Sequence, residues 1–506
     1  MKNQRHLKLM TAEGEVRGAM DDNLFVFRGL PYAAPPVGAL RWRPPQPMAR
    51  WQGVRDAIQW GNACWQNREY CINVGGGDPG VFSEDCLYLN IWTPDITPSR
   101  PLPVMVWLHG GGFTLGAGSL PPYNGRYLAG RGVVVVTLNY RLGHLGFFAH
   151  PALDSEYPEG KTVNNFALLD QIAALQWIQR NIPAFGGDRH NVTLFGESSG
   201  ARSILSLYCS PLAQGLFNKG IVQSAYSLPD VERRQALNNG IALAKHFGLE
   251  NATAEELRRL PAEAFWSLGG ELATQPVPIV GDTLLPRSML ATFRAGQQQR
   301  LPLIIGSNSD EASVLDYFGI DVTRIIREMR AQRPLIYRLV KWLYDIHDDT
   351  LLGRALARDM AFSALTTLVV QAQHDVGMPG WRYWFDYVSE HARDSYPHGS
   401  WHGSEIPYVF NTLSQLADVS NQSPANAADD AFARNLSAYW IAFARDASEF
   451  THTLPGELPW PAWHPGDDLT LAFGEGGKGG LRLKRNFMQA RMRLCRLMMH
   501  SQVRLS

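Results

Sequence analysis

The 506-residue sequence predicts an α/β protein, with a mainly parallel sheet covered on both faces by helices. Three observations predict it. Apolar strand-like runs such as Gly132–Leu138 (GVVVVTL) alternate with helix-like segments such as Leu168–Gln179. A serine lies between two glycines where an apolar run gives way to a helical one, in Val192–Ala201 (VTLFGESSGA). A second apolar run, Pro103–Leu108, leads directly into His109 and three consecutive glycines, Gly110 to Gly112.

Each of these elements has a physical reading. Val192–Phe195 is expected as a buried strand and Ala201–Tyr208 as a helix ending before Pro211. A serine on so tight a strand-to-helix turn needs small residues two positions away on either side, and Gly196 and Gly200 supply them. Ser198 is therefore the candidate nucleophile. Consecutive glycines let backbone N–H groups converge on a developing oxyanion, so Gly111 and Gly112, with the amide of Ser199, are the candidate donors. A flexible turn or a phosphate cradle is the competing reading of the glycines, but no Gly-Lys-Ser/Thr follows to complete a nucleotide loop.

A serine nucleophile needs a base, and 14 histidines compete for that role. On this kind of turn the chain order is serine, acid, histidine, with the last two on loops after later strands. Two segments fit. Leu301–Ala312 (LPLIIGSNSDEA) is an apolar strand followed by a turn bearing Asp310 and Glu311. His398–Phe410 (HGSWHGSEIPYVF) offers His398 and His402. Spacing alone does not choose within either pair.

Further motifs carry a family resemblance. Phe27–Trp42 (FRGLPYAAPPVGALRW), Ser83–Asn90 (SEDCLYLN), Asn139–Gly143 (NYRLG), Leu169–Gln171, Phe185–Asp188 (FGGD), Asn191–Thr193 and Gln223–Ser224 resemble segments of the type-B carboxylesterases. That family also contains the cholinesterases, and the resemblance extends over nearly the whole chain, through Trp460. It implies an α/β-hydrolase fold forming one domain over residues 1–506, acting on a small-molecule ester through an acyl-enzyme. Carried over by motif, the acid falls on Glu311 and the base on His402, with Glu197 and Ser224 supporting them; no metal or cofactor is implied. His402 is expected to titrate at roughly 6 to 7. The same triad would serve amide, carbamate or thioester bonds, and some relatives are non-catalytic interaction proteins. The chain departs from the family's Gly-Glu-Ser-Ala-Gly-Gly at Ser199 and Ala201, and Ala225 replaces the usual glycine after Ser224. The added Ser199 hydroxyl is expected beside the oxyanion hole, where it would disturb the acyl group.

Composition sets limits. Lys plus Arg and Asp plus Glu each number 47, so charge gives no reason to expect nucleic acid. No apolar run reaches membrane-spanning length, and Met1–Met10 lacks the apolar core of a signal peptide, so a cytoplasmic protein is expected. Cys64 and Cys86 resemble the positions of a loop-closing disulfide in secreted relatives and are expected as thiols in a reducing compartment. Long insertions, Val231–Leu301 and Ala312–Met378, are expected to build a cap and the walls of the site. The 15 tryptophans and 17 tyrosines could line it. Asn421–Asp430 reads as an exposed loop. Leu481–Leu505 reads as a basic amphipathic helix with Phe487, Ala490, Leu494 and Leu497 on its apolar face, packed on the domain rather than lying on a membrane.

Overall fold

A computed structural model of the chain describes residues 6–266, 268, 277–317, 320–415, 425–448 and 458–500. Twelve strands form one sheet. In chain order they are β1 His6–Met10, β2 Glu15–Asp21, β3 Leu24–Pro31, β4 Val54–Asp56, β5 Tyr88–Thr93, β6 Leu102–Leu108, β7 Val134–Leu138, β8 Gly187–Glu197, β9 Lys219–Gln223, β10 Leu303–Asn308, β11 Gly380–Tyr387 and β12 Thr470–Lys484. Across the sheet the order is β1-β2-β3-β5-β7-β6-β8-β9-β10-β11-β12, with β4 beside β2. From β7 to β12 every neighbour is parallel, whereas β1, β2, β3, β5 and β7 pair antiparallel. The predicted α/β class and mainly parallel sheet are therefore present.

The helices of ten residues or more are α1 Phe166–Asn181, α2 Ser199–Cys209, α3 Arg233–His246, α4 Val322–Gln332, α5 Pro334–Tyr344, α6 Asp349–Arg358, α7 Ala364–Asp375, α8 Ala427–Arg445 and α9 Gln489–His500. Continuous apolar runs make the central strands because both faces are covered. Val104, Val106, Leu108 and Leu194 pack on one face with Phe166 of α1, Ile204 of α2 and Val369 of α7. Met105, Trp107 and Phe195 point to the other face, where Phe410 and Trp440 of α8 meet them. A buried ion pair joins the first face to the loop after β7: Arg141 donates through Nε and Nη2 to Asp170 of α1, at 2.8 and 2.7 Å.

The second insertion folds into α4 to α7. Ile326, Val340, Tyr344, Leu352 and Met360 close a core of their own against Met492, Cys495 and Met498 of α9. Two sequence expectations need correction here. Residues 421–424 lie outside the described residues, but Ala427 onward is helix rather than loop. The reason is a capping box: Asn426 Oδ1 accepts from the N–H groups of Ala428 and Asp429, and the Asp429 carboxylate accepts from Asn426 N–H. At the C-terminus, residues 481–484 belong to β12 and the helix starts only at Gln489, while residues 501–506 lie outside the described residues. Its buried face is Met492, Cys495 and Met498, and Leu497 is 68% exposed, because α9 packs by its methionines onto α5 to α7.

Candidate active site

Ser198 sits between β8 and α2 with φ 53° and ψ −120°, a conformation rarely held by a residue with a side chain. Close packing enforces it. A Cβ on Gly200 would lie 2.0 Å from the Leu108 carbonyl oxygen, and one on Gly196 would lie 2.6 Å from the same atom, so glycine alone lets β6 come this near the turn. The Ser198 N–H donates to Gln223 O at 2.9 Å, and Arg202 N–H donates back to Ser198 O at 2.8 Å, closing the first turn of α2.

β10 ends at Asn308, and its following turn is tied to the histidine loop by a hydrogen bond from Asp310 N–H to Ser400 O, 2.8 Å. Glu311 is fully buried; its Oε1 accepts from Asn308 N–H at 2.6 Å. Its Oε2 meets His402 Nδ1 at 2.5 Å, and His402 Nε2 lies 2.8 Å from Ser198 Oγ. Of the two open pairs, Glu311 and His402 thus come together with Ser198. Asp310 turns away to Arg354 of α6, at 2.8 Å. Ser313 Oγ accepts from His402 N–H at 2.9 Å, and Phe362 packs its ring 5.2 Å from the imidazole, which fixes the histidine from two further sides. Phe362 lies in a π-helical turn at Asp359–Ser363, a local irregularity that aims the ring at the site.

Three carboxylates surround this imidazole. Glu197 Oε1 lies 3.1 Å from His402 Nε2 and makes no hydrogen bond among the described residues. Burial opposes charge on His402, but the charges of Glu197 and Glu311 and the hydrogen bond to Glu311 outweigh it and carry His402 up to about 9. The expected range of roughly 6 to 7 is therefore displaced upward. Burial carries Glu197 up to about 8, against the pull of the His402 charge. The two groups titrate together, since a proton on Glu197 removes one of the charges that hold a proton on His402.

The third carboxylate, Glu405, was not singled out by sequence reasoning, although it lies in the motif that carries His402. It accepts from Asn308 Nδ2 at 2.7 Å and Gln223 Nε2 at 3.0 Å. Gln223 also receives Ser198 N–H through its carbonyl and Trp440 Nε1–H through Oε1, at 2.9 Å each. At this strand end the side-chain link to Glu405 is made by Gln223. Ser224 is buried with φ 53°, and its hydroxyl makes no hydrogen bond among the described residues.

Gly111 and Gly112, with φ of 106° and 59°, turn the loop beside Ser198, and their N–H groups donate to no acceptor among the described residues. The loop is anchored at both ends. Tyr140 Oη donates to His109 O at 2.6 Å, and Gly143 N–H donates to Phe113 O at 2.7 Å. Ser199 Oγ accepts from Phe113 N–H at 3.2 Å, so the hydroxyl expected to disturb the acyl group is directed at the glycine loop. Ala201 lies inside α2, where alanine is the better helix former. Beyond the loop opens a cavity of about 240 Å³ whose walls include Trp65, Tyr70, Leu115, Phe265 and Trp266. All five cysteines are free thiols, Cys64 and Cys86 among them. No helix of the described residues is long and apolar enough to cross a membrane.

Residues 5–494 match the family model described as the carboxylesterase family. The chain is 36% identical over 494 residues to the fumonisin B1 esterase of Sphingopyxis macrogoltabida, covering 93% of this chain and 87% of that protein. It is 33% identical over 482 residues to the para-nitrobenzyl esterase of Bacillus subtilis strain 168, covering 92% and 94%. A solved PNB esterase superposes with a TM-score of 0.82 at 30% identity, over 96% of this chain and 99% of that one. The carboxylesterase of Geobacillus stearothermophilus gives 0.81 at 29% identity, over 96% and 99%. With the family model spanning almost the whole sequence, the chain belongs to the carboxylesterase family and is a carboxylic ester hydrolase.

Proposed function

We propose that the chain cleaves its esters by a serine acyl-enzyme route in which Ser198 attacks the carbonyl, His402 moves the proton and Glu311 orients and charge-balances the imidazole. The observation that carries this reading is the continuous hydrogen-bonded line Glu311–His402–Ser198, with steps of 2.5 and 2.8 Å. His402 takes the Ser198 proton as the C–O bond forms and returns it to the leaving alcohol; a water then repeats the cycle to release the acid. Gly111, Gly112 and Ser199 hold the oxyanion through their amides, helped by the N-terminus of α2. Phe362 and the aromatic cavity beside the glycine loop favour an apolar ester. The named relatives act on a fumonisin and on a para-nitrobenzyl ester, so the substrate within this class is assigned to the walls rather than to the triad.

Ser198→Ala is expected to lower the turnover of a short-chain p-nitrophenyl ester by about 10⁴-fold or more, with the wild type showing an initial nitrophenol burst where deacylation is slow. Turnover within tenfold of wild type would rule out Ser198 as the nucleophile.

The pH profile follows from His402, which must be neutral to accept the Ser198 proton. Because its pKa is raised from 6.5, it stays protonated to higher pH, so kcat/KM should fall on the acid side with a midpoint above 6.5. Glu197→Gln removes a charge that raises His402 and should move this limb to lower pH. A limb that Glu197→Gln leaves in place would remove Glu197 from the account.

Ser199→Ala keeps the amide but deletes the acceptor for Phe113 N–H. Loss of one such bond is worth about 1 kcal/mol, so kcat should drop by about fivefold with KM nearly constant. A rise in kcat would instead mean that the hydroxyl hinders the acyl group.

A further inference from the structure

Helix α5 has two faces of unusual composition. Inward, Val340 and Tyr344 are buried in the core shared by α4 to α7 and α9, and Ile336, Tyr337 and Leu343 pack against it. This side alone anchors the helix. Outward, Leu335, Leu339 and Trp342 recur at helical spacing and are 77%, 46% and 77% exposed. Single exposed apolar residues are ordinary on protein surfaces, but a leucine and tryptophan stripe along one helix is not.

The charges of this segment have one sign. Residues 333–344 carry Arg333, Arg338 and Lys341 and no acidic residue. Arg338 lies between the exposed leucines, and Arg333 is exposed at the start of the helix. Of the three acids that follow the helix, two are engaged and Asp345 is exposed. Asp349 pairs with Arg330, and Asp348 caps α6 by accepting from Leu351 N–H at 2.8 Å; Asp345 ends α5 in the left-handed region. By contrast the neighbouring α4 has charges of both signs, with Arg324 Nε paired to Glu328 at 2.7 Å.

We propose that the outer face of α5 docks on an anionic phospholipid surface, lying in the headgroup plane with Leu335, Leu339 and Trp342 inserted and the exposed Arg333 and Arg338 against the lipid phosphates. An apolar stripe of leucine and tryptophan flanked by cations is the composition that partitions to such an interface, the stems of Arg and Lys covering apolar area while their heads reach the phosphates. The absence of acidic residues from 333–344 favours an anionic lipid over a second copy of this chain, whose α5 would bring like charge against like. The inference does not depend on the triad assignment.

The test is co-sedimentation of the full chain with vesicles of phosphatidylcholine alone and with one quarter phosphatidylglycerol, at low and physiological salt. The wild type should bind the anionic vesicles, less at higher salt. Leu335→Ser/Leu339→Ser/Trp342→Ala should bind about tenfold more weakly or worse, and Arg333→Gln/Arg338→Gln should lose the preference for anionic lipid. Both variants should retain wild-type turnover of a soluble short-chain ester, which certifies their folding. If the triple variant is impaired there, Trp342→Ala alone takes its place, with a several-fold loss expected. The proposal is overturned if the wild type ignores anionic vesicles, or if the apolar variants bind as well as the wild type. It is equally overturned if light scattering shows wild-type self-association that the triple variant lacks, with no vesicle binding by either.

Discussion

The contact between the Leu108 carbonyl and the Cα of Gly200 sets the geometry on which the site depends. β6 and the start of α2 approach so closely that a Cβ would lie 2.0 Å from the oxygen, and this approach forces Ser198 into its strained turn. The same contact fixes the glycine loop, because Gly110 begins it two residues after Leu108. A Cβ on Gly110 would lie 3.2 Å from Ser198 Cβ, so Ser198 and the loop are held against each other by one packing constraint. Gln223 adds the third strand, receiving Ser198 N–H at the end of β9 and bonding Glu405 beyond it. The Ser198 turn, the glycine loop and the support of the His402 loop therefore share a rigid base made from the ends of β6, β8 and β9.

Charge is the second constraint. Glu197, Glu311 and Glu405 are all buried near one imidazole, an arrangement that is costly unless positive charge or hydrogen bonds compensate. Glu405 is met by Asn308 and Gln223, and Glu311 by Asn308 N–H and His402. Glu197 Oε1 has His402 within 3.1 Å and no hydrogen bond among the described residues. This imbalance favours an imidazolium, the species that the proposed proton transfer from Ser198 to His402 would form. It stabilises that charge at the expense of keeping His402 protonated further into the neutral range.

The fold and the three candidate residues of the triad were legible in the sequence for identifiable reasons. Buried parallel strands must be continuously apolar, so 103–108, 132–138 and 192–195 stood out, and the elbow demands glycines at 196 and 200. The choice of Glu311 over Asp310 was not a matter of spacing; it came from motif resemblance, and in the structure it turns on Asp310 being drawn to Arg354 across 44 residues of chain. Gln223, Glu405 and Phe362 escaped because their roles depend on partners distant in sequence, as the Gln223 to Glu405 bond does. At α8 the signal lies in the sequence itself, where Asn426 and Asp429, three residues apart, form a capping box. At α9 the periodicity was helical, but the buried face belonged to methionines and a cysteine, which a pattern of aliphatic residues does not select.

α4 to α7 build a separate core, deliver Phe362 to the imidazole and leave α5 with an apolar outer stripe. The proposed chemistry rests on Ser198 Oγ being the attacking atom, and a crystal structure after reaction with an aryl phosphonate tests it most directly. The account predicts phosphorus bonded to Ser198 Oγ, with its free oxygen about 2.7 to 3.1 Å from the amides of Gly111, Gly112 and Ser199. Phosphorus on any other side chain, or a free oxygen turned away from those amides, would contradict it.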